Sequence, residues 1–257
     1  MDILRKELNG IYERQRLGDE LLDGCALAAL KTRVEAVVEL GDSCAVITDA
    51  AADRCYIFCR SFGPLIGLTD TPEYYCEVNS SDEDAIYEKI HPEDLVEKRM
   101  LEYEYFKLTD SVPPAEKRRY KATCRLRMRD VRGEYRYVDN STQIASLSPA
   151  GKMWLILCRY DLSPDQSGSD GIGARIVNTA SGIITTLRFG EKRNHILSNR
   201  EKEVLRLVKA GKPSKQIAAM LGISVNTANR HRQNIIEKLS VGSCVEAITA
   251  ATAMKLI

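Results

Sequence analysis

The sequence predicts two domains of different class within 257 residues: an α+β domain built on an antiparallel sheet, then an all-α helix-turn-helix domain. Three observations predict this. Residues 197–239 carry the caps and apolar spacing of three short helices. Residues 119–158 hold three long runs with strand character. Charge is also unevenly divided. From Glu191 onward there are 12 basic and 5 acidic residues, or +7, whereas the remainder has 25 basic and 31 acidic, or −6. Neutralising phosphates dominates nucleic-acid affinity, so a basic module suits DNA. The acidic body would not bind DNA by charge alone.

Ser198 followed by Glu201 spells a capping box at the first of the three helices. Val204, Leu205, Leu207 and Val208 give that helix a core face. Gly211 is a left-handed stop, and Lys212-Pro213 cannot prolong the helix. Ser214 is expected to cap a second helix with Ile217, Ala218 and Leu221 inward. Gly222 then permits a tight turn, and Ser224 caps a third helix, Val225 to Leu239. Two short helices across a Gly-containing turn are the helix-turn-helix signature.

On the third helix Ala228, Ile235 and Leu239 share the inward face. Asn226, Asn229, Arg230 and Gln233 follow i, i+3, i+4, i+7 spacing and form one outer stripe. Asn and Gln can pair bidentately with adenine, and Arg with guanine, in the major groove. A merely solvated face would carry more acid than the single Glu237 found here.

This segment resembles the DNA-binding domain of LuxR/NarL (GerE-type) transcription regulators. The likeness runs through Leu197-Ser198, Arg200-Glu201, Glu203-Val204-Leu205, Gly211, Lys215-Gln216-Ile217-Ala218 and Leu221. It continues through Ile223-Ser224, Thr227, His231, Arg232, Asn234, Ile235 and Lys238-Leu239. Ala228 stands where the family usually has Val, a smaller core residue. The resemblance implies that Asn229, Arg230 and Gln233 face bases. It implies phosphate contacts for Lys215, Thr227, Arg232 and Lys238, with Asn234 and His231 grouped beside them. His231 sits between Ala228 and Ile235, which favours packing or phosphate over base readout.

Ahead of this, residues 1–41 read as amino-terminal helices, with Leu4, Leu8 and Ile11 in one stripe and Gly18-Asp19 as a break. They either pack on their own domain or form a dimer helix. Residues 42–162 change texture. Two apolar strands, around Val46 and Ile57, precede a turn-rich stretch. His91-Pro92-Glu93-Asp94 then opens a long helix, with Pro at its first position and acids at its positive end. After it come the three strands, with a hairpin at Gly133 and a turn at Pro149-Ala150-Gly151.

That order of elements, with the His-Pro-Glu-Asp helix start, resembles a PAS domain. Such a likeness implies a cupped antiparallel sheet that encloses a ligand or supports dimerisation. Val46, Ile57, Leu126, Met128, Leu155 and Leu157 are the candidates to line the cup, or simply to fill a core. His91 reads as a capping residue rather than a ligand for haem or metal. No cofactor and no metal are expected.

Residues 163–194 read as a linker with a β-hairpin: Ser163 to Gly173 is Ser/Gly/Asp-rich, and apolar runs flank Ala180-Ser181-Gly182. Gly171 and Gly173 lack the third glycine and the preceding strand of a dinucleotide fingerprint. Residues 195–257 complete the helix-turn-helix domain, with Val245, Ile248, Thr252 and Leu256 on one face of a last helix.

No apolar run reaches membrane-spanning length, and the start lacks a signal-peptide core, so a cytoplasmic protein is expected. The eight cysteines lack a paired zinc framework and read as reduced, structural thiols. A nucleophile elbow, a P-loop and HExxH are all missing from the sequence, which argues against an enzyme. The expected function is a sequence-specific transcription regulator. It would act as a homodimer on the major groove of double-stranded DNA, with the PAS-like domain sensing a small molecule or protein partner. The alternative makes that domain a dimerisation or protein-interaction module without a small ligand.

Overall fold

A computed structural model describes residues 3–168, 170–189, 197–239, 241–253 and 256–257. The chain divides into two compact units: Leu8–Arg188, and Phe189–Ile257 together with Met1–Glu7.

The first unit is organised by one antiparallel sheet of eight strands in the order β3-β2-β1-β6-β5-β4-β7-β8. The strands are β1 (Cys44–Asp49), β2 (Arg54–Cys59), β3 (Tyr74–Val78), β4 (Tyr120–Arg129), β5 (Tyr135–Leu147), β6 (Met153–Leu162), β7 (Arg175–Asn178) and β8 (Ile184–Thr186). Helix α1 (Ile3–Arg14) leads to α2 (Gly24–Gly41), which Asp23 caps by accepting from the Cys25 N–H at 2.9 Å. Val34 and Val38 of α2 pack on Ala45, Ile47, Tyr56, Phe58, Trp154 and Leu155. From Leu8 onward the amino-terminal helices therefore belong to the sheet unit. Two short helices, α3 (Phe62–Leu65) and α4 (Asp84–Tyr87), separate β2 and β3 from the long α5 (Pro92–Ser111), and α6 (Pro114–Lys117) precedes β4.

His91 is the N-cap of α5, its Nδ1 accepting from the Glu93 N–H at 3.3 Å. His91, Glu93 and Asp94 come within 4.8 Å of one another. The Arg127 guanidinium fills that cluster, at 2.9 Å from Glu93 and 2.6 Å from Asp94. Tyr105 of α5 fixes the helix to the sheet: its hydroxyl accepts from Ile144 N–H at 2.9 Å and donates to the Tyr120 carbonyl at 3.2 Å.

The six residues expected to line one cup divide between two faces. Val46 pairs with Ile57 and Cys158, so these share one face of the sheet. Leu155 belongs to the α2 cluster, and Leu157, opposite Ile47, is only half-buried there. Strand alternation through β6 is the cause: residues 155 and 157 point away from residue 158's side. Leu126 and Met128 are fully buried.

A set of ionised groups is enclosed beside α5. Lys98 is 0% exposed and ion-paired with Glu102. The Thr142 hydroxyl lies 3.5 Å from Glu102, and Tyr160 donates to buried Glu83 at 2.9 Å. The Lys98 ammonium is paired with Glu102, and its charge also acts on Glu83. The Glu83 carboxyl is pushed up to about 7, by burial first; Lys98 opposes this, Glu102 reinforces it, and the Tyr160 hydroxyl opposes it.

Cys44 and Cys59, expected as thiols, face each other directly across β1 and β2 and form a disulfide. Fifteen residues apart in sequence, they become neighbours only through strand register. The Ser/Gly/Asp-rich stretch that begins at Ser163 makes contacts with the sheet. Arg125 pairs with Asp165, Gln166 Nε2 donates to the Tyr137 carbonyl at 2.9 Å, and Arg125 N–H donates to the Ile172 carbonyl at 2.8 Å. The hairpin that follows extends the sheet, β7 pairing with β4 through Thr123 and Arg175. At the β5–β6 turn Gly151 has φ +75°, and a Cβ there would lie 2.6 Å from Cγ of Pro114.

The second unit is helical: α7 (Asn199–Lys209), α8 (Ser214–Leu221), α9 (Val225–Leu239) and α10 (Cys244–Ala253). Leu197, Val204, Leu205, Ile217, Ala228 and Ile235 are its buried centre. In α10 Ala247 and Ala251 are buried, while Val245, from the face marked out in the last helix, is 73% exposed.

Candidate nucleic-acid interface

Local chemistry sets the three helices that carry the interface. The capping box is complete: Ser198 Oγ accepts from Glu201 N–H at 3.2 Å, and Ser198 N–H donates to Glu201 at 2.7 Å. Pro213, not Ser214, is the N-cap of α8. Ser214 is the first helical residue, and its hydroxyl accepts from Arg232 Nη1 at 3.4 Å, so it ties α8 to α9. Gly222 closes α8 at φ +65°, a left-handed turn that glycine adopts without a Cβ penalty. Ser224 Oγ accepts from the Thr227 N–H at 3.0 Å and opens α9.

Arg200 is a positioning residue that helix periodicity did not reveal. One guanidinium nitrogen is bound to the Leu221 carbonyl at the end of α8, and another lies 2.8 Å from Glu203. It thereby links α7 to the turn before α9. The signal lay in the unsatisfied carbonyls that end every helix, for which an Arg is a fitting donor.

Of the base-facing candidates, Asn229, Arg230 and Gln233 are all exposed on α9, away from buried Ala228 and Ile235. Gln233 Nε2 donates to Glu237 at 3.2 Å. Asn226 is exposed beside them, and the first turn of α9 holds no acidic residue, so its positive dipole end is open to phosphate.

The phosphate candidates are less uniform. Lys215 is exposed. Thr227 is exposed, but its hydroxyl lies 2.8 Å from Ser224 Oγ within the cap. Arg232 and Asn234 are half-buried. His231 is half-buried too, and its Nδ1 is enclosed without a hydrogen-bond partner. Lys238 lies 2.8 Å from Glu201 in an internal ion pair. Of the candidate residues, the exposed positive ones are Lys215 and Arg230, with Lys212 and Arg232 half-buried.

This helical geometry coincides with a known family. Residues 195–251 match the model of GerE, described as bacterial regulatory proteins, luxR family. The carboxyl-terminal domain is a LuxR-type helix-turn-helix. The LuxR-type domain is 47% identical over 58 residues to the uncharacterized response regulatory protein YgeK of Escherichia coli, covering 23% of this chain and 40% of that one. This chain is 39% identical over 75 residues to the transcriptional activator protein AnoR of Acinetobacter nosocomialis, 29% of this chain and 31% of the other. The chain thus spans less than half the length of these curated relatives. A structure of the Vibrio cholerae VqmA dimer without target DNA aligns over 88% of both chains, at 17% identity and a TM-score of 0.31.

No helix among the described residues is long and apolar enough to cross a membrane.

Proposed function

We propose that this protein is a cytoplasmic, sequence-specific, DNA-binding transcription regulator without catalytic activity. It acts as a homodimer whose antiparallel-sheet domain receives a signal and controls the LuxR-type domain. The observation that carries this reading is the exposed Asn229, Arg230 and Gln233 stripe on a helix held behind the Gly222 turn. Such a helix, presented twice, reads two half-sites of a palindrome about one helical turn apart. Lys215, Arg232 and the amino end of α9 fix the register on phosphates, and the stripe reads base edges. The testing experiment is selection of binding sites from random duplexes with the purified full chain. Enrichment of a two-fold symmetric sequence supports the reading, and no enrichment above starting frequency refutes it.

A second reading makes the sheet domain a dimerisation or interaction module with no small ligand in its interior. The buried Lys98, Glu102, Glu83 and Tyr160 favour this, because the chain's own side chains occupy the space beside α5. Mass spectrometry of the purified chain, native against denatured, separates the two. A mass difference lost on denaturation supports a bound molecule.

A further inference from the structure

The face of the sheet that carries α2 is only half covered. Helix α2 lies over β1 and β2 and the start of β6, and among the described residues the outward side chains of β4 and β5 are half-buried. Strand register maps this open half. Arg175, Thr123, Ser141 and Arg159 stand in one row across β7, β4, β5 and β6. Lys121, Gln143 and Leu157 form the next row, beside Ile47.

Two adjoining cavities occupy this open half and share Lys121 and Ser141. The smaller, about 220 Å³, lies against α2. Its walls are apolar, formed by Leu30, Val34 and Val37 of the helix and by Ala45 and Leu157 of the sheet. Its charged residues are all cations: Arg33, Lys121 and Arg159. The larger, about 620 Å³, runs from Lys121 past Thr123 and Arg175 to the pinned segment at Asp165. Both lie near or within the range of small-molecule sites.

Ion pairing inside the groove is incomplete. Arg125 is held by Asp165 and Arg159 by Asp161, two of the three acids in the larger cavity, and the third, Asp139, stands opposite Arg125 across β4 and β5. Among the described residues Lys121 and Arg175 have no carboxylate partner, and the hydroxyls of Thr123 and Ser141 have no hydrogen bond. Arg159 Nε is enclosed and unpartnered. Burial, followed by the nearby Arg159, lowers the proton affinity of Lys121, and Asp161 opposes this. A half-buried ammonium next to other cations is a costly arrangement that an anion would relieve.

We propose that this groove binds a small amphiphilic carboxylate, with its anionic head between Lys121, Arg175 and the Thr123 and Ser141 hydroxyls and its short alkyl chain in the notch between α2 and Leu157. Apolar walls next to a cationic rim call for both properties in one ligand: a bare anion leaves the notch wet, and a neutral chain leaves Lys121 uncompensated. Residues on α2, β4, β5, β6 and β7 would all touch such a molecule, so its binding couples the amino-terminal helix to the β7–β8 hairpin. This deepens the proposed signal-receiving role, and the binding itself is tested without DNA, so either idea can fail alone.

The experiment is calorimetric titration of the full chain with sodium hexanoate, alongside hexanol, hexylamine and inorganic phosphate. Hexanoate should bind saturably, and the other three at least ten-fold more weakly. Lys121→Gln should raise the hexanoate Kd ten-fold or more, and Arg175→Gln several-fold. Val37→Glu, at a solvent-facing rim position, should abolish binding by placing a like charge at the notch. Each variant's fold is checked by its far-ultraviolet dichroism and Tm without ligand. No hexanoate heat with folded wild-type chain, hexylamine binding as tightly as hexanoate, or undiminished binding by folded Lys121→Gln would each overturn the assignment.

Discussion

Lys238, in the last turn of α9, reaches back to the Glu201 carboxylate at the start of α7, at 2.8 Å. Glu201 is 3% exposed and also accepts from the Ser198 N–H at 2.7 Å. One buried carboxylate thus closes a helix cap and clamps the reading helix to its scaffold. Its pKa is held below the usual value: burial acts against this, and Lys238 and Ser198 outweigh burial. A lowered acid contributes stability above its unfolded pKa and loses it as pH falls through its folded pKa. Glu201→Ala should therefore lower the stability of the helical domain by about 2–3 kcal/mol at neutral pH. Thermal denaturation should show this deficit shrinking below the carboxylate range, and an equal deficit at all pH values would contradict it.

The same pair predicts how binding depends on salt. Lys215 is exposed, whereas Lys238 already has a partner. Lys215→Ala should weaken all DNA sequences alike and reduce the slope of log affinity against log salt by about one unit. Lys238→Ala should change that slope less. Titrations across a salt series compare the two directly.

Base readout predicts a different pattern. Gln233→Ala and Asn229→Ala should each cost roughly 1–3 kcal/mol at one base pair and relax preference there. Because Gln233 is bonded to Glu237, Glu237→Ala should free the amide without removing it. Affinities for single-base operator variants are the check. A uniform loss across all variants would place Gln233 off the reading face.

Glu83 gives a pH prediction of opposite sign. Its carboxyl is raised from 4.5 to about 7 in the folded chain, so between those values the native state holds a proton that the unfolded state has lost. That contribution is full below the unfolded value and is lost as pH rises through about 7. It amounts to about 3 kcal/mol at most. Glu83→Gln should flatten the fall in Tm of the sheet domain between pH 4.5 and about pH 7, the window this linkage spans.

What could be read from residues alone was whatever short-range chemistry decides. The Ser198–Glu201 box, the Gly222 turn and the His91-Pro92 helix start each follow from a few neighbours, and each stands where local rules place it. The domain order and the exposed α9 stripe were legible for the same reason. Long-range pairing was not legible. Lys98, Glu102 and Glu83 look like solvated charges until the fold shows them enclosed together. Register, not spacing, makes Cys44 and Cys59 partners. In α10, hydrophobicity ranks Val245 above Ala247, yet the smaller residue is the buried one. Lys238 matches a family position and is also ion-paired with Glu201, a contact between residues 37 apart that helix spacing does not show.

Gly151 faces two separate vetoes: its left-handed φ and the Pro114 ring against its missing Cβ. Mutational tolerance at these two positions should therefore be epistatic. In a saturation library, position 151 would accept nothing in the parent background. Alanine at 114 would keep the Cβ that lies 2.7 Å away, so only glycine there lifts the steric veto, and Gly151→Ala should then cost about 1 kcal/mol, the conformational part alone. A lineage that loses this proline first has a path open to it that one keeping the proline does not.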